Sequence, residues 1–592
     1  MRFQCRLPFL LAIGLFAPAT TLAQAPRPLT VDVVVTASAA PVPASTIGRT
    51  VTTITRDDLE RLGLSSVTEA LRFVPGLDVR ARGGRDVQTD FSLRGATFGQ
   101  ALVLLDGLRL NDSQSGHHNG EIPAPVVAID RIEVVAGPAS AVHGADALGG
   151  TIQVITRTGP HAGAEASFAE HGTASVQASM SGRALPARLS AALWGSRSDG
   201  FMFDRDWAMG GGSLKGTLPS GLALEGRYAR RAFGANGFYG NSPSKEWTTQ
   251  ALLGGRQEHA VGAWSLLGRV AYRRHTDQFR WDINRPGFAE NTHTTDALEA
   301  TLSAGRTVGS TSRLTVGAGG GGDWIDSSNL GSHTYGRAHG FAELLWTPRA
   351  RLSTQVGSRV DHYSAFGTAL SPSASASVWL SDAVRLRVSA ARAFRIPTFT
   401  ERFYTDPAHQ ASALLDPERG WSLDAGLDLT VRGLALGITP FVRWDDDVID
   451  WVRETPTQRW RTTNVRDVKT TGVELHARRS WRRALLSAHY TGLSVEAPRL
   501  GLLSKYVLEY ARHSAGLAAA APLAAGATAS LTVDVRDRVD GQRYVLVGAR
   551  LTRSLGRWDL FVEGSNLLDE AYREVAGVPM PGRWLGVGVR VR

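Results

Sequence analysis

From residue 160 to residue 592 the chain alternates apolar and polar side chains with period two, and this repeat limits its fold more than any other feature. In Val384–Ala390, Val384, Leu386, Val388 and Ala390 share one face, while Arg385, Arg387 and Ser389 share the other. Leu531, Val533 and Val535 alternate with Thr532, Asp534 and Arg536, and the stretches Leu434–Trp444 and Val587–Val591 continue the pattern. Alternation places one set of side chains on each side of a sheet. Arginine is costly in a dry core but not against a wet lumen, so the pattern reads as an all-β transmembrane barrel. A soluble array of β-sandwiches explains the alternation, but not an arginine/apolar split sustained over more than 400 residues. The richest apolar stretch after the N-terminus, Gly516–Val533, is interrupted by Pro522 and Gly526, which argues against membrane helices. Residues 159–592 number 434. At roughly 20 residues per strand and its share of loop, they make about 22 antiparallel strands. The 15 Trp and 11 Tyr suit interfacial girdles. A barrel of that size has a wide lumen that must be plugged.

The N-terminus reads differently. Arg2 and Arg6 flank the short apolar run Leu7–Phe16, and small residues lead to Ala23, so residues 1–23 are expected to be a cleaved secretory signal. An apolar run of about 10 residues is too short to span a bilayer as a helix. The single cysteine, Cys5, lies inside this segment, which excludes a disulfide scaffold or a thiolate zinc site in the mature chain. Residues 24–45 form a linker. Residues 46–158 form a small α/β domain of the right size to fill the lumen. Strand patterns occur at Thr50–Ile54, Ala101–Leu105, Arg131–Val135 and Thr151–Thr156. Thr55 with Asp58 makes a capping box for one helix, and Ser66–Phe73 is a second, stopped by Pro75-Gly76.

These N-terminal residues carry a family resemblance. Val74-Pro75-Gly76-Leu77, Phe91-Ser-Leu-Arg-Gly95, Val103-Leu-Leu-Asp-Gly107, Ile129-Asp-Arg-Ile-Glu-Val134, Gly137-Pro-Ala-Ser-Ala141 and Ala147-Leu-Gly-Gly-Thr-Ile-Gln-Val-Ile-Thr156 occur in this order. Together they resemble the plug of TonB-dependent outer-membrane transporters. Phe394-Arg-Ile-Pro-Thr398, Leu415-Asp-Pro-Glu418, Thr471-Gly-Val-Glu474 and Asn566-Leu-Leu-Asp569 are similar to barrel phrases of that family. The segment Val31, Asp32, Val33, Val34, Val35, Thr36 and Ala37 resembles the TonB box. A β-branched run free of Gly and Pro is an unpaired strand awaiting an edge, and a partner binds it by strand addition. The resemblance implies a TonB-type energy-transducing protein of the inner membrane as partner and the outer membrane of a Gram-negative-type bacterium as location. It also implies that Arg94 is a plug–barrel latch, buried against carboxylates such as Glu474 or Glu563. Two positions depart from the family pattern: Ala136 replaces a second plug arginine, and Arg592 stands where an aromatic residue usually closes the barrel.

The polar loop Asn111–Glu121 is expected to face outward and touch a small-molecule ligand, through Gln114, His117, His118 and Asn119. Arg82, Arg85 and Gln88 of the neighbouring plug loop, and Phe238 and Tyr239 of a barrel loop, complete the expected contacts. Adjacent histidines converge less readily than an i, i+4 pair, so no metal site and no cofactor is assigned. The phrase Gly116-His-His-Asn119 most resembles the cobalamin-receptor branch of the family; a ferric-siderophore receptor is the alternative, for which an arginine-rich lumen attracts an anionic chelate. A passive porin or structural barrel needs neither plug nor box. No nucleotide or enzymatic machinery is expected: no Gly-Lys pair or HExxH occurs, and Gly317–Gly322 fits GxGxxG only within an alternating strand. The net charge of +10 comes from scattered arginines with only four lysines, so no nucleic-acid partner is assigned. The barrel's remaining partner is outer-membrane lipid.

Overall fold

A computed structural model describes residues 33–592 apart from 185, 466 and 498–500. The expected signal segment, and Val31 and Asp32 of the N-terminal strand, lie outside the described residues. Twenty-two antiparallel strands, from His161–Ala169 to Trp584–Val591, form a closed barrel. The last strand closes on the first, with Ala164 opposite Val591. Closure leaves no unpaired sheet edge in lipid. Among the described residues no helix is long and apolar enough to cross a membrane.

The alternation resolves as expected for a wall between lipid and polar lumen. Leu386 and Val388 are 41% and 46% exposed on the outside, whereas Arg387 and Ser389 face inward at 6% each. Phe168, Leu193, Leu302 and Val562 are likewise exposed. Arg592, at the position where an aromatic residue was expected, pairs with Asp559 at 2.7 Å across the closing strands. Connections alternate between the two ends. At one end they are short, such as 262–263, 432–433 and 482–483; at the other they include 396–417, 447–467 and 566–583. In outer-membrane barrels short turns face the periplasm and long loops the exterior. A separate four-stranded sheet, His409–Gln410, Trp460–Val465, Val448–Arg453 and Leu503–Ser504, is built from the long connections.

Inside lies the α/β plug. Its five-stranded sheet runs in the order Val51–Thr55, Ile129–Ala136, Gly150–Thr156, Ala101–Leu105, Leu108–Arg109. Thr55 and Asp58 form the reciprocal cap of helix Arg56–Leu62, which ends at Gly63 in the left-handed conformation. Ser66 caps the helix Val67–Leu71. Leu59, Leu71, Phe91, Val103, Ile132 and Val154 form the plug's apolar core, against which Leu252, Leu485, Ala518 and Ala520 of the wall pack. The plug also meets the barrel through ion pairs. Arg72 pairs with Glu574 at 2.7 Å, Asp78 with Arg538 at 3.0 Å and Asp58 with Arg478 at 2.5 Å. Polar interfaces of this kind release more readily than an apolar core, because water replaces each partner.

The N-terminal segment is tucked under the plug at the short-turn end. Val33–Val34 pairs antiparallel with Val42–Pro43, and Val34 packs with Val42, Ile47 and Val135. The expectation of an unpaired strand is thus modified: the segment has a local partner. One oxygen of the buried Glu133 accepts from Val35 N at 3.0 Å, Thr36 N at 3.0 Å and Thr36 Oγ1 at 2.6 Å. Hydrogen bonds to a charged acceptor stabilise by about 1.5–3 kcal/mol each. Replacing Glu133 by Ala should therefore speed amide exchange at Val35 and Thr36 by at least about tenfold. Unchanged protection, measured by hydrogen exchange and mass spectrometry, rules out this carboxylate as the clamp.

Candidate functional site

The polar plug loop reaches the long-loop end of the barrel. Gly116–His118 forms a single tight helical turn, capped by the Ser115 hydroxyl, which accepts from His117 N. This turn makes the floor of a cavity of about 220 Å³. Its walls are aromatic. Phe98 stacks on His117 at 4.3 Å and meets Tyr506 edge-on at 5.1 Å; Tyr239 meets Phe279 at 5.3 Å; His409 meets Trp451 at 5.2 Å.

Four carboxylates, Glu246, Asp277, Glu401 and Asp406, also line the cavity. The lining cations are Arg395 and Lys505. Arg395 is already neutralised, by Glu401 at 2.9 Å and Glu418 at 2.7 Å. Burial pushes the Lys505 ammonium down to about 8, and its Nζ stands 3.1 Å from His409 Nε2. Burial likewise pushes the His117 imidazole down to about 4, although Asp90 pulls the other way. At neutral pH the 3.0 Å contact is therefore one in which the Nδ1–H of a neutral His117 ring donates to the Asp90 carboxylate. Burial opposes charge on the His118 imidazole, but Asp277 and Glu121 hold it well above its usual range, so with Arg395 and Lys505 it leaves the cavity aromatic and without a clear excess of either charge.

Gln114, His117, His118 and Tyr239 line this cavity; Arg82, Arg85, Gln88, Asn119 and Phe238 do not. Arg82 lies beneath it, paired with Asp90 at 2.8 Å. Gln88 donates to the Tyr239 hydroxyl at 2.6 Å and so supports a lining residue. Asn119 Oδ1 accepts from Asp112 N at 3.1 Å, an internal tie of the loop. Phe238 packs with Phe233 and Trp207 and lies under the Arg205 guanidinium. Arg85 pairs with Glu563 at 2.7 Å, away from the cavity. Arg82 and Asn119 are thus tied within the plug, Gln88 and Arg85 to barrel side chains, and Phe238 to an apolar cluster with Phe233 and Trp207 of the barrel.

Residues missed from the sequence include Phe98, Trp281, Tyr404, Trp451 and Tyr506. A partial signal existed in the strand Trp264–Arg280, where Arg273, His275 and Asp277 occur at spacing two and point inward. Periodicity identifies such a stripe but not what stands opposite it.

Arg94 is 1% exposed. Its Nε and Nη2 donate to the two oxygens of Glu474 at 2.8 and 2.7 Å, and Nη1 donates to Asp424. Glu474 is thus a partner, whereas Glu563 belongs to Arg85 and Arg550. The Phe441 ring covers the guanidinium at 4.3 Å. Gly76, at φ +74°, has its backbone against Glu474, and a Cβ there would collide with Oε1. Ala136, where a second arginine was expected, leaves Asp424 with Arg94 and the Ser389 hydroxyl at 2.9 Å.

A sealed 22-stranded wall, an ion-paired plug and an aromatic cavity facing the long loops together define a plugged transport barrel. Residues 43–151 match the family described as TonB-dependent Receptor Plug Domain, and residues 188–571 match TonB dependent receptor-like, beta-barrel. The chain belongs to the TonB-dependent receptor family, a class of receptors and transporters. Among curated relatives, it is 26% identical over 482 residues to the vitamin B12 transporter BtuB of Vibrio vulnificus (strain YJ016), covering 75% of each chain. Among solved structures, the siderophore receptor PirA of Acinetobacter baumannii superposes with a TM-score of 0.75 at 15% identity, over 92% of this chain and 98% of PirA. The FrpB iron transporter of Neisseria meningitidis superposes with a TM-score of 0.75 at 14% identity, over 91% of this chain and 99% of FrpB. These structural likenesses describe the fold.

Proposed function

We propose that this receptor imports a cobalamin-like solute across the outer membrane of a Gram-negative-type bacterium, with energy from a TonB-type inner-membrane protein engaging residues 31–37. The observation that carries the choice of solute is the aromatic lining of the cavity, which offers no unpaired arginine. Glu246, Asp277 and Asp406 lie among aromatic walls, and the one lining arginine is already paired. A polyanionic ferric chelate finds no free guanidinium there, whereas a broad, weakly charged macrocycle finds stacking faces and hydrogen-bonding groups. Ligand sites commonly enclose ~300–1,000 Å³. The cavity of about 220 Å³ therefore seats one edge of a large solute, and the rest lies in the open mouth. The relative named as a vitamin B12 transporter supports the same reading.

Titration of the purified receptor separates the solutes. Cyanocobalamin should bind at nanomolar concentration, and a ferric triscatecholate should not. Replacing Tyr506 by Ala should weaken cobalamin binding by about tenfold or more, as truncating a central aromatic anchor does. Binding of the ferric chelate alone overturns the choice of solute and leaves the transporter class intact.

A further inference from the structure

Directly beneath the cavity is a second cluster, enclosed between plug and wall. His118 and Glu121 come from the plug loop, and His275 comes from the barrel strand Trp264–Arg280. All three are buried, and each offers a ligand atom within 4.8 Å of the others. The adjacent His117 turns the other way, toward Asp90 and Phe98. The second imidazole beside His118 therefore comes from across the lumen, with ring centres 4.6 Å apart. We propose that His118, Glu121 and His275 bind a divalent transition cation of the zinc type, joining the plug loop to the barrel wall under the solute cavity.

The spacing fits the ion. Ligands about 2.0–2.1 Å from a tetrahedral zinc stand about 3.3 Å from one another. Here His118 Nδ1 is 3.1 Å from Glu121 Oε1, and His275 Nε2 is 3.6 Å from Glu121 Oε2. Each imidazole also presents its other nitrogen to a carboxylate. His275 Nδ1 is 2.7 Å from Asp112 Oδ2, and His118 Nε2 is 3.6 Å from Asp277 Oδ2. Carboxylates behind ligating histidines set the tautomer and orient the ring. Asp112 is itself fixed by Arg273 at 2.8 Å.

Two further observations point to a missing cation. His275 is fully buried, and its Nε2, the nitrogen turned away from Asp112, makes no hydrogen bond of good geometry among the described residues. A buried imidazole nitrogen left unsatisfied is costly unless something else engages it. Asp112, Glu121, Glu246 and Asp277 are all buried here, against Arg231 and Arg273. Four buried carboxylates face two guanidiniums, surroundings that favour a cation over an anion. A second grouping, His118 with Glu246 and Asp277, shares one ligand with the first. It has a single imidazole, and Asp277 Oδ2 already accepts from Gln114 at 2.8 Å, so the two-histidine set is the better zinc site.

The test uses the purified full-length receptor, stripped with a chelator, dialysed and titrated with Zn2+ against a chromophoric competitor. It does not depend on which solute is transported, and cobalamin titration of the same samples reports on that separately. The wild type should bind one Zn2+ per chain. His275→Ala and Glu121→Gln should each weaken binding by more than about 100-fold, and Asp112→Asn by about 10–100-fold as an orienting carboxylate. Glu258→Gln, at an exposed acid of the barrel strand Lys245–Val261 outside the cluster, should retain wild-type affinity. Heat-modifiable gel migration establishes that each variant barrel is folded. Absence of stoichiometric Zn2+ binding by the wild type overturns the site and leaves protonated imidazoles as the charge balance. Loss in Glu246→Gln with retention in His275→Ala overturns the assignment of ligands.

Discussion

Replacing Val34 by Pro is expected to reduce energised uptake to the level of a strain lacking the TonB-type protein, while ligand capture at the cell surface stays unchanged. Strand addition relies on backbone donors in extended geometry, and proline removes one donor and fixes its own φ. An unmatched backbone group costs about 1–3 kcal/mol, or roughly 5- to 150-fold in partner affinity. The cavity lies at the long-loop end, lined by residues such as Trp281, Trp451 and Tyr506. The Val33–Val34 pair lies at the short-turn end, where its neighbours Ser45 and Thr46 contact Ser377 and Ser353 of the wall. The substitution therefore acts on coupling and leaves binding alone. The segment is already engaged by Val42–Pro43 and by Glu133. A partner must displace these contacts, so the Glu133→Ala variant should bind the partner more readily than wild type, the reverse of Val34→Pro. Wild-type transport by Val34→Pro, measured with radiolabelled solute, removes the segment from the coupling role.

The second large effect is expected at Arg94. Replacing it by Ala leaves Glu474 and Asp424 buried without their cation, at 3% and 5% exposure. Breaking one side of such a cluster costs about 3–5 kcal/mol. The loss falls on the seating of the plug, because the barrel is closed by its own ladders and most of the apolar core lies within the plug. The Arg94→Ala strain should become permeable to a large hydrophilic antibiotic, with the purified barrel still heat-modifiable. Adding Glu474→Gln and Asp424→Asn should recover much of the seal, since the uncompensated charges are then gone. An unaltered permeability barrier in Arg94→Ala means the plug is held elsewhere, at pairs such as Arg72–Glu574 and Asp78–Arg538.

Local features of the plug were open to reading because their causes lie within a few residues. Thr55 and Asp58 cap one helix turn together, and Ser66 caps the next. The strand Ala101–Leu105 is a continuous apolar run buried throughout. The ligand site was less legible. His117, His118, Gln114 and Tyr239 line the cavity, but Arg82 and Arg85, donors of the neighbouring plug loop, are taken by Asp90 and Glu563. Composition reports that a lumen holds many arginines; it does not report which remain unpaired after carboxylates of other strands arrive. The arginine-rich lumen that would favour the siderophore alternative meets, at the cavity, aromatic walls and a single arginine already paired with Glu401 and Glu418.

What the sequence determined by itself was the barrel, its polar interior and the plug ahead of it, since a period of two acts strand by strand and needs no knowledge of neighbours. Which side chains meet was decided by the tertiary structure. Arg94 and Glu474 are 380 positions apart, and Gln114 and Asp277 are 163 apart. Such pairs depend on the strand register that closes the wall and on the depth at which the plug is seated. A shift of one residue in register turns every inward side chain to the lipid. Which carboxylates surround Arg94, and the meeting of His118 and Glu121 with His275, are therefore products of closure, legible only once the whole ring of strands is in place.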